Sequence, residues 1–108
     1  MATGAAWNVD NPLKPWAYFD SNAVRDIPIE WAAWLTDIGS TASSVTATAQ
    51  EGLEVVSVTR VVDVAVVRVR NDPDVALIAG NKYWVTCHIV AADGQEDDQT
   101  VYLKIAEK

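Results

Sequence analysis

Cys87 and His88 are the residues best suited to nucleophilic or acid–base chemistry. The sequence has one cysteine and one histidine, and they are neighbours in KYWVTCHIV. A thiolate–imidazole pair needs both side chains on the same side of the backbone. The alternation of this stretch predicts a strand, where adjacent side chains point to opposite faces. We therefore expect Cys87 to be a small core residue and His88 an outward one, with no catalytic pair between them.

Acidic residues form two groups that could in principle bind a cation. They are Asp72 and Asp74 in one predicted loop, and Asp93, Glu96, Asp97 and Asp98 around the last hairpin. Neither group has the spacing of a calcium-binding EF-hand loop, and charged hairpin ends commonly protect sheet edges. The sequence also lacks a phosphate-binding glycine loop, a G-x-S-x-G motif and a zinc-ligand set. We expect no catalytic residues, no metal and no cofactor.

The charge of the chain argues against several classes of partner. It has 108 residues and a net charge of −7. Nucleic acids and acidic membranes are bound mainly through clustered Lys and Arg, so we expect neither as a partner. We also expect no signal peptide and no membrane span, because no apolar run approaches the roughly 20 residues required. The lone Cys87 leaves no intramolecular disulfide to form, which fits synthesis in a reducing cytoplasm.

From Asp26 onward the sequence has the two-residue period of β-strands. Stretches such as SVTATA, VDVAVVRVR, KYWVTCHIV and QTVYLKI alternate or are β-branched, and Gly52, NDPD and ADGQ interrupt them. About six or seven short strands at this spacing are typical of an all-β sandwich. The residues expected in its core are Trp31, Leu77, Tyr83, Val85, Val101 and Leu103.

The stretch IPIEWAAWL is ambiguous. Trp31 and Trp34 have the spacing of neighbours on one helix face, yet Pro28 and β-branched residues favour a strand. We predict a strand from Ile27 to Leu35, in which Trp31 faces the core and a bulge between the two tryptophans returns Trp34 to the same face. Pro28 then requires an edge strand or the first residues of a strand.

Residues 1–24 differ from the rest because they combine prolines with aromatic residues and show neither period. Proline restricts the backbone, so we predict an extended N-terminal arm over residues 1–24, followed by a sandwich domain over residues 25–108. Exposed tails are normally poor in aromatic residues. The arm is therefore expected to pack on a neighbouring subunit or, alternatively, across its own domain. The residues expected to contact a partner are Trp7, Pro12, Pro15, Trp16, Tyr18 and Phe19.

Three arginines lie in the predicted strands. Arg60, Arg68 and Arg70 would form a basic strip if their strands pair. Such a strip could contact an acidic patch on a partner or on another copy of this chain. The alternative is a solvated outer face with no partner.

The stretch LIAGNKYWV places Leu77, Gly80 and Tyr83 directly before a predicted core strand. This order resembles the tyrosine corner of fibronectin type III and immunoglobulin-like domains, in which a tyrosine hydroxyl bonds to the backbone a few residues upstream. The resemblance implies an immunoglobulin/fibronectin III-like β-sandwich. The strands from Lys82 and from Gln99 would then be its last two.

Three longer stretches, VRDIPIEWAAWL, GLEVVSVT and YWVTCHIVAADGQEDDQTVYLKI, occur in this order. They resemble a family of small proteins encoded among the head and tail genes of tailed bacteriophages. Glu30 stands where that family usually has aspartate, and RVRNDPDVALIAGN replaces a tight glycine-rich turn. The matching residues are Asp26, Glu30, Trp31, Trp34, Leu35, Gly52, Leu53, Val55, Tyr83, Val85, Gly94 and Asp98.

The resemblance implies a non-enzymatic, immunoglobulin-like component of the virion, made in the host bacterial cytoplasm and acting as a fibre-tail adaptor. We expect contacts with tail or fibre subunits and a homo-oligomer in the particle. Two other functions remain open: a capsid decoration or cement protein of the same fold, and a carbohydrate-binding module. The second requires an exposed tryptophan on a flat sheet face, and its candidates are Trp7, Trp16, Trp34 and Trp84.

Overall fold

Seven strands form two facing sheets in the computed structural model, which describes residues 15–106. One sheet has the order β1-β7-β6-β3 and the other β2-β5-β4. The described part of the chain is therefore all-β apart from one short helix. In chain order the elements are β1 Trp16–Phe19, β2 Val24–Glu30, α1 Ala32–Ile38, β3 Ala42–Ala49, β4 Leu53–Val61, β5 Val64–Asn71, β6 Lys82–Ala91 and β7 Glu96–Ile105.

The core lies between the sheets and is built from alternate residues of the strands. On β6 and β7 the inward positions beyond the hairpin end are buried while the outward ones are half-buried or exposed, as the two-residue period of a strand requires. The largest buried side chains include Trp31 and Phe19. Among the residues expected in the core, Leu77 is half-buried at its margin. The others, Trp31, Tyr83, Val85, Val101 and Leu103, are buried.

The ADGQ stretch makes the turn between β6 and β7. The Ala91 N–H donates to the Gln95 carbonyl at 2.7 Å, and the Gly94 N–H donates to the Ala91 carbonyl at 3.0 Å. The register around this turn places Lys82 opposite Lys104. Pro28 lies on β2, an edge strand of the three-stranded sheet. A proline is tolerated there because an edge strand pairs with a neighbour on one side only.

The predicted strand from Ile27 to Leu35 is wrong beyond Glu30. Strand β2 ends there, and the Trp31 N–H donates to the Asp63 carbonyl at 2.8 Å. The Leu35 N–H then donates to the Trp31 carbonyl at 2.9 Å, which is the first helical hydrogen bond of α1. Trp31 is nonetheless buried, because it stands where strand and helix meet over the core. Within residues 15–106, no helix is long and apolar enough to cross a membrane.

A glycine ends α1. Gly39 has φ 66° and ψ 38°, in the left-handed region. The Ser40 N–H donates to the Leu35 carbonyl at 3.1 Å and the Gly39 N–H to the Thr36 carbonyl at 3.2 Å. These two bonds form a Schellman motif, which satisfies carbonyls that the helix end would otherwise leave free.

Part of the predicted N-terminal arm is a strand. Trp16–Phe19 pairs in parallel with β7, and the Tyr102 N–H donates to the Pro15 carbonyl at 2.9 Å. Ala17 and Phe19 face the core and are buried. Residues 16–19 are thus a strand of the sandwich rather than part of an extended arm. They pack on their own domain, which was the alternative to packing on a neighbouring subunit. Trp7 and Pro12 lie outside the described residues.

Candidate functional site

The outer face of the four-stranded sheet carries a row of aromatic side chains. Trp16 of β1 lies beside Tyr102 of β7, which is opposite Trp84 of β6. Trp84 is 36% exposed and Tyr18 is 53% exposed. The rings of Trp16 and Tyr18 meet edge to face, with centroids 5.0 Å apart. The row therefore forms an accessible aromatic surface across three strands.

Two lysines border this row and share one ring. Lys82 and Lys104 are directly opposite each other on β6 and β7. Their Nζ atoms lie 4.9 and 5.7 Å from the centroid of the Trp16 ring, within the range in which a ring face attracts a cation. No carboxylate among residues 15–106 forms a salt bridge with either ammonium. We call the set Trp16, Tyr18, Trp84, Tyr102, Lys82 and Lys104 the aromatic–lysine patch.

The other end of the same face holds the histidine between two carboxylates. His88 Nδ1 lies 2.6 Å from Asp98 Oδ1, and Nε2 lies 2.7 Å from Glu96 Oε1. Hydrogen bonds with Asp98 and, in second place, with Glu96 raise the pKa of His88 above its usual range. The protonated imidazole suits this arrangement best because both ring nitrogens can then donate.

Asp93 adds a third carboxylate at this end, in the turn between β6 and β7. It accepts hydrogen bonds from the side-chain amide of Gln95 at 2.8 Å and from the Gln95 N–H at 3.1 Å. These bonds hold the pKa of Asp93 below its usual range, so this carboxyl is ionised at neutral pH. We call Asp93, Glu96 and Asp98 the acidic end of the sheet face.

Cys87 lies on the side of β6 opposite to His88, as strand alternation predicts. Its thiol is fully buried, and burial raises its pKa. A protonated, buried thiol is a poor nucleophile, so this geometry provides no thiolate–imidazole pair. Among the residues that the structure describes, no group of three or more His, Cys, Asp or Glu side chains is placed to hold a metal ion.

The three arginines do not form one free basic strip. Arg68 binds Asp26 through two contacts, at 2.8 and 3.2 Å, and Arg70 binds Glu54 at 3.1 Å. Both pairs lie on the outer face of the three-stranded sheet, where the two carboxylates neutralise the two guanidinium groups. Arg60 instead donates to the Val62 carbonyl at 2.9 Å. A shallow depression of about 270 Å³ on this face is lined by Asp26, Ser57, Thr59, Val61, Val66 and Arg68.

The described residues of the expected partner-binding set have different surroundings. Tyr18 is exposed and Trp16 is half-buried, and both are in the aromatic–lysine patch. Phe19 is 1% exposed and belongs to the core, so it is not available to a partner in the folded domain. Pro15 is buried at the start of β1.

The sequence interpretation missed the lysines of the patch, although a signal for them was present. A three-residue hairpin loop, Ala92 to Gly94, fixes the pairing of the strands on either side. Counting outward from its central residue, Asp93, brings Lys82 opposite Lys104 and His88 opposite Asp98. The position of Trp16 beside them has no such local signal, because it depends on the pairing of β1 with the distant β7.

Comparison with known proteins identifies the family. Residues 20–104 match the family described as podophage GP4 fiber-tail adaptor protein gp77. No curated protein and no solved structure gives a significant match to the chain. The matched region extends from just after β1 almost to the end of β7, and it contains the three stretches that carried the resemblance except for the last residue of the third, Ile105. Since the match covers most of the sequence, the chain belongs to this family of phage fibre-tail adaptor proteins.

Proposed function

We propose that this protein is a structural adaptor that joins a tail fibre to the tail of a bacteriophage, in several copies per virion and without catalysis of its own. The observation that carries the proposal is the family match over residues 20–104. The outer sheet face supports it, since aromatic side chains are enriched in the contact surfaces of proteins. The buried Cys87 and the carboxylate-bound His88 also favour a structural role over a catalytic one.

We also propose an immunoglobulin-like topology. If β2 to β7 are taken as strands B to G, one sheet contains B, E and D and the other C, F and G, the division typical of that fold. The Tyr83 hydroxyl accepts a hydrogen bond from the Ile78 N–H at 3.0 Å. That is the contact expected of a tyrosine corner.

The N-terminal segment supplies a second contact with neighbouring subunits in this proposal. Residues 1–14 contain Trp7 and Pro12 and lead into β1, an edge strand that contributes Trp16 to the aromatic–lysine patch. Tryptophan anchors of this kind commonly dominate the binding energy of interfaces. We assign partner binding to this segment together with the exposed Tyr18.

Two truncations test this role. Removal of residues 1–14 leaves every described strand intact, whereas removal of residues 1–20 also deletes β1 and the buried Phe19. In a phage lacking the gene and supplied with each variant, the shorter truncation should fold normally yet fail to enter particles with fibres. The longer one should lose stability as well. Normal fibre attachment with the shorter truncation would disprove the role of the segment.

A carbohydrate-binding function is the second candidate, because Trp84 is exposed on a sheet face beside Tyr102. Sugar rings stack on such aromatic surfaces. The lysine ammonium groups over the Trp16 ring favour protein contact instead, since they occupy a face that a sugar would need. A glycan array, followed by a tryptophan-fluorescence titration with any sugar that binds, separates the two functions. Binding that Trp84→Ala abolishes would support the sugar site.

A further inference from the structure

The two ends of one sheet face carry opposite charge. Lys82 and Lys104 lie at one end of the β6–β7 hairpin, and the acidic end lies at the other. We infer that copies of this protein associate head to tail, with the acidic end of one copy against the aromatic–lysine patch of the next. This inference rests on the proposed function for the presence of several copies in one particle.

Among residues 15–106, no carboxylate forms a salt bridge with the two lysines of the patch. Like charges directly opposite each other on paired strands repel, and Lys82 faces Lys104 in this way. The Trp16 ring offsets part of the repulsion. The arginines of the described region are already engaged, Arg68 and Arg70 by carboxylates and Arg25 and Arg60 by backbone carbonyls. Among the cationic side chains of residues 15–106, the lysine pair is therefore the one best placed to bind an external carboxylate.

The acidic end has an excess of negative charge. His88 carries at most one positive charge, yet Glu96 and Asp98 both contact it and Asp93 lies nearby in the turn. The side chains of Glu96 and Asp98 are 56% and 62% exposed. Their outer surfaces remain accessible to a second cation.

Distance prevents the two ends from meeting within one molecule. Lys104 and Asp98 are six residues apart on β7, and a strand rises about 3.4 Å per residue, so the nearest charges of the two ends are about 20 Å apart. Screening at physiological salt limits their attraction to about 8 Å. Both charged surfaces are on one sheet face, so a second copy that is turned over to face the first brings unlike ends together.

Aromatic area must supplement the ion pairs. Exposed ion pairs alone contribute little to association, whereas Trp84, Tyr102 and Tyr18 offer rigid apolar surface next to the lysines. Facing copies that overlap at one end form a ring or a filament through this contact, whereas a fully overlapping antiparallel pair forms it twice as a two-fold dimer.

A charge-swap experiment on the purified full chain tests this interface. The patch variant is Lys82→Glu with Lys104→Glu, and the hairpin variant is Glu96→Lys with Asp98→Lys. Sedimentation velocity up to about 1 mM protein should show association of the wild type and a weakening of at least about tenfold in each variant alone. Because each variant has like charges at both ends, an equimolar mixture should recover association.

Asp37→Lys with Glu51→Lys is the control, since it changes net charge as much as the hairpin variant but leaves both ends intact. It should associate at least as strongly as the wild type. Circular dichroism verifies that every variant is folded. A wild type that stays monomeric at about 1 mM, an unaffected variant, or no recovery on mixing overturns the inference. Loss of fibre attachment on removal of residues 1–14 would still support the adaptor role in that case.

Discussion

The indole rings of Trp31 and Trp34 meet edge to face, with centroids 5.6 Å apart and planes at 71°. Trp31 is buried at the end of β2, while Trp34 is half-buried on α1 and packs against the core. A helix brings residues three apart to the same face. The spacing of the two tryptophans therefore reflects one turn of helix. Helix α1 connects the three-stranded sheet to β3 of the four-stranded sheet.

Trp31 and Trp34 should differ sharply in their contribution to stability. Trp31→Ala removes a fully buried ring and should lower the free energy of unfolding by about 3 to 5 kcal/mol. Trp34→Ala should lower it by about 1 to 2 kcal/mol, because that ring is partly exposed and loses mainly the aromatic contact. Urea denaturation followed by circular dichroism measures both. If Trp31→Ala does not fold, Trp31→Phe replaces it. Equal losses would contradict the assignment of Trp31 to the core.

The strands could be predicted from the sequence because their signals are local. Alternation locates β3, β6 and β7, and the turn around Asp93 predicts that β6 and β7 pair as a hairpin. Helix α1 was missed because its seven residues are few for a periodic pattern and follow directly on a strand. Gly39, in a position typical of a helix C-terminus, was the available signal.

Strand β1 and the site around it depend on interactions between residues far apart in sequence. Four residues are too few for alternation to show, and the parallel pairing with β7 joins segments more than 80 residues apart. The placement of Trp16 over two lysines follows from that pairing alone. The arginine pairs are similar, since Arg68 meets Asp26 only when β2 and β5 are neighbours.

Tyr83→Phe tests the tyrosine-corner hydrogen bond. The substitution removes only the hydroxyl that accepts from the Ile78 N–H, and it should lower the free energy of unfolding by about 1 kcal/mol. Tyr18→Phe is the matched control, because that ring is 53% exposed, and it should change stability by less than about 0.5 kcal/mol. Thermal denaturation compares the two. A silent Tyr83→Phe would show that water replaces the bond without cost.

Gly52→Ala tests a close approach in the turn before β4. Gly52 has φ 108°, and a Cβ there would lie 3.0 Å from Leu77 Cδ2 and 3.3 Å from Tyr83 Cε2. Backbone strain of about 1 to 3 kcal/mol and crowding should therefore add. Gly94→Ala has φ 92° but no atom within 4 Å of its Cβ, so it should show the backbone cost alone. A loss no larger at Gly52 than at Gly94 would mean that Leu77 moves aside freely.

His88 should make stability depend on pH near neutrality. Asp98 and Glu96 raise its pKa in the folded protein, whereas the unfolded value is about 6.5. The folded state thus binds the proton more tightly, and the resulting stabilisation is fully present below about pH 6.5 and is lost as pH rises through the raised folded pKa. NMR titration of this single histidine should give a pKa above 6.5. Glu96→Gln with Asp98→Asn should return it towards that value, while Glu51→Gln should leave it raised. A wild-type pKa at or below about 6.5 would show that the two carboxylates do not hold the imidazole in solution.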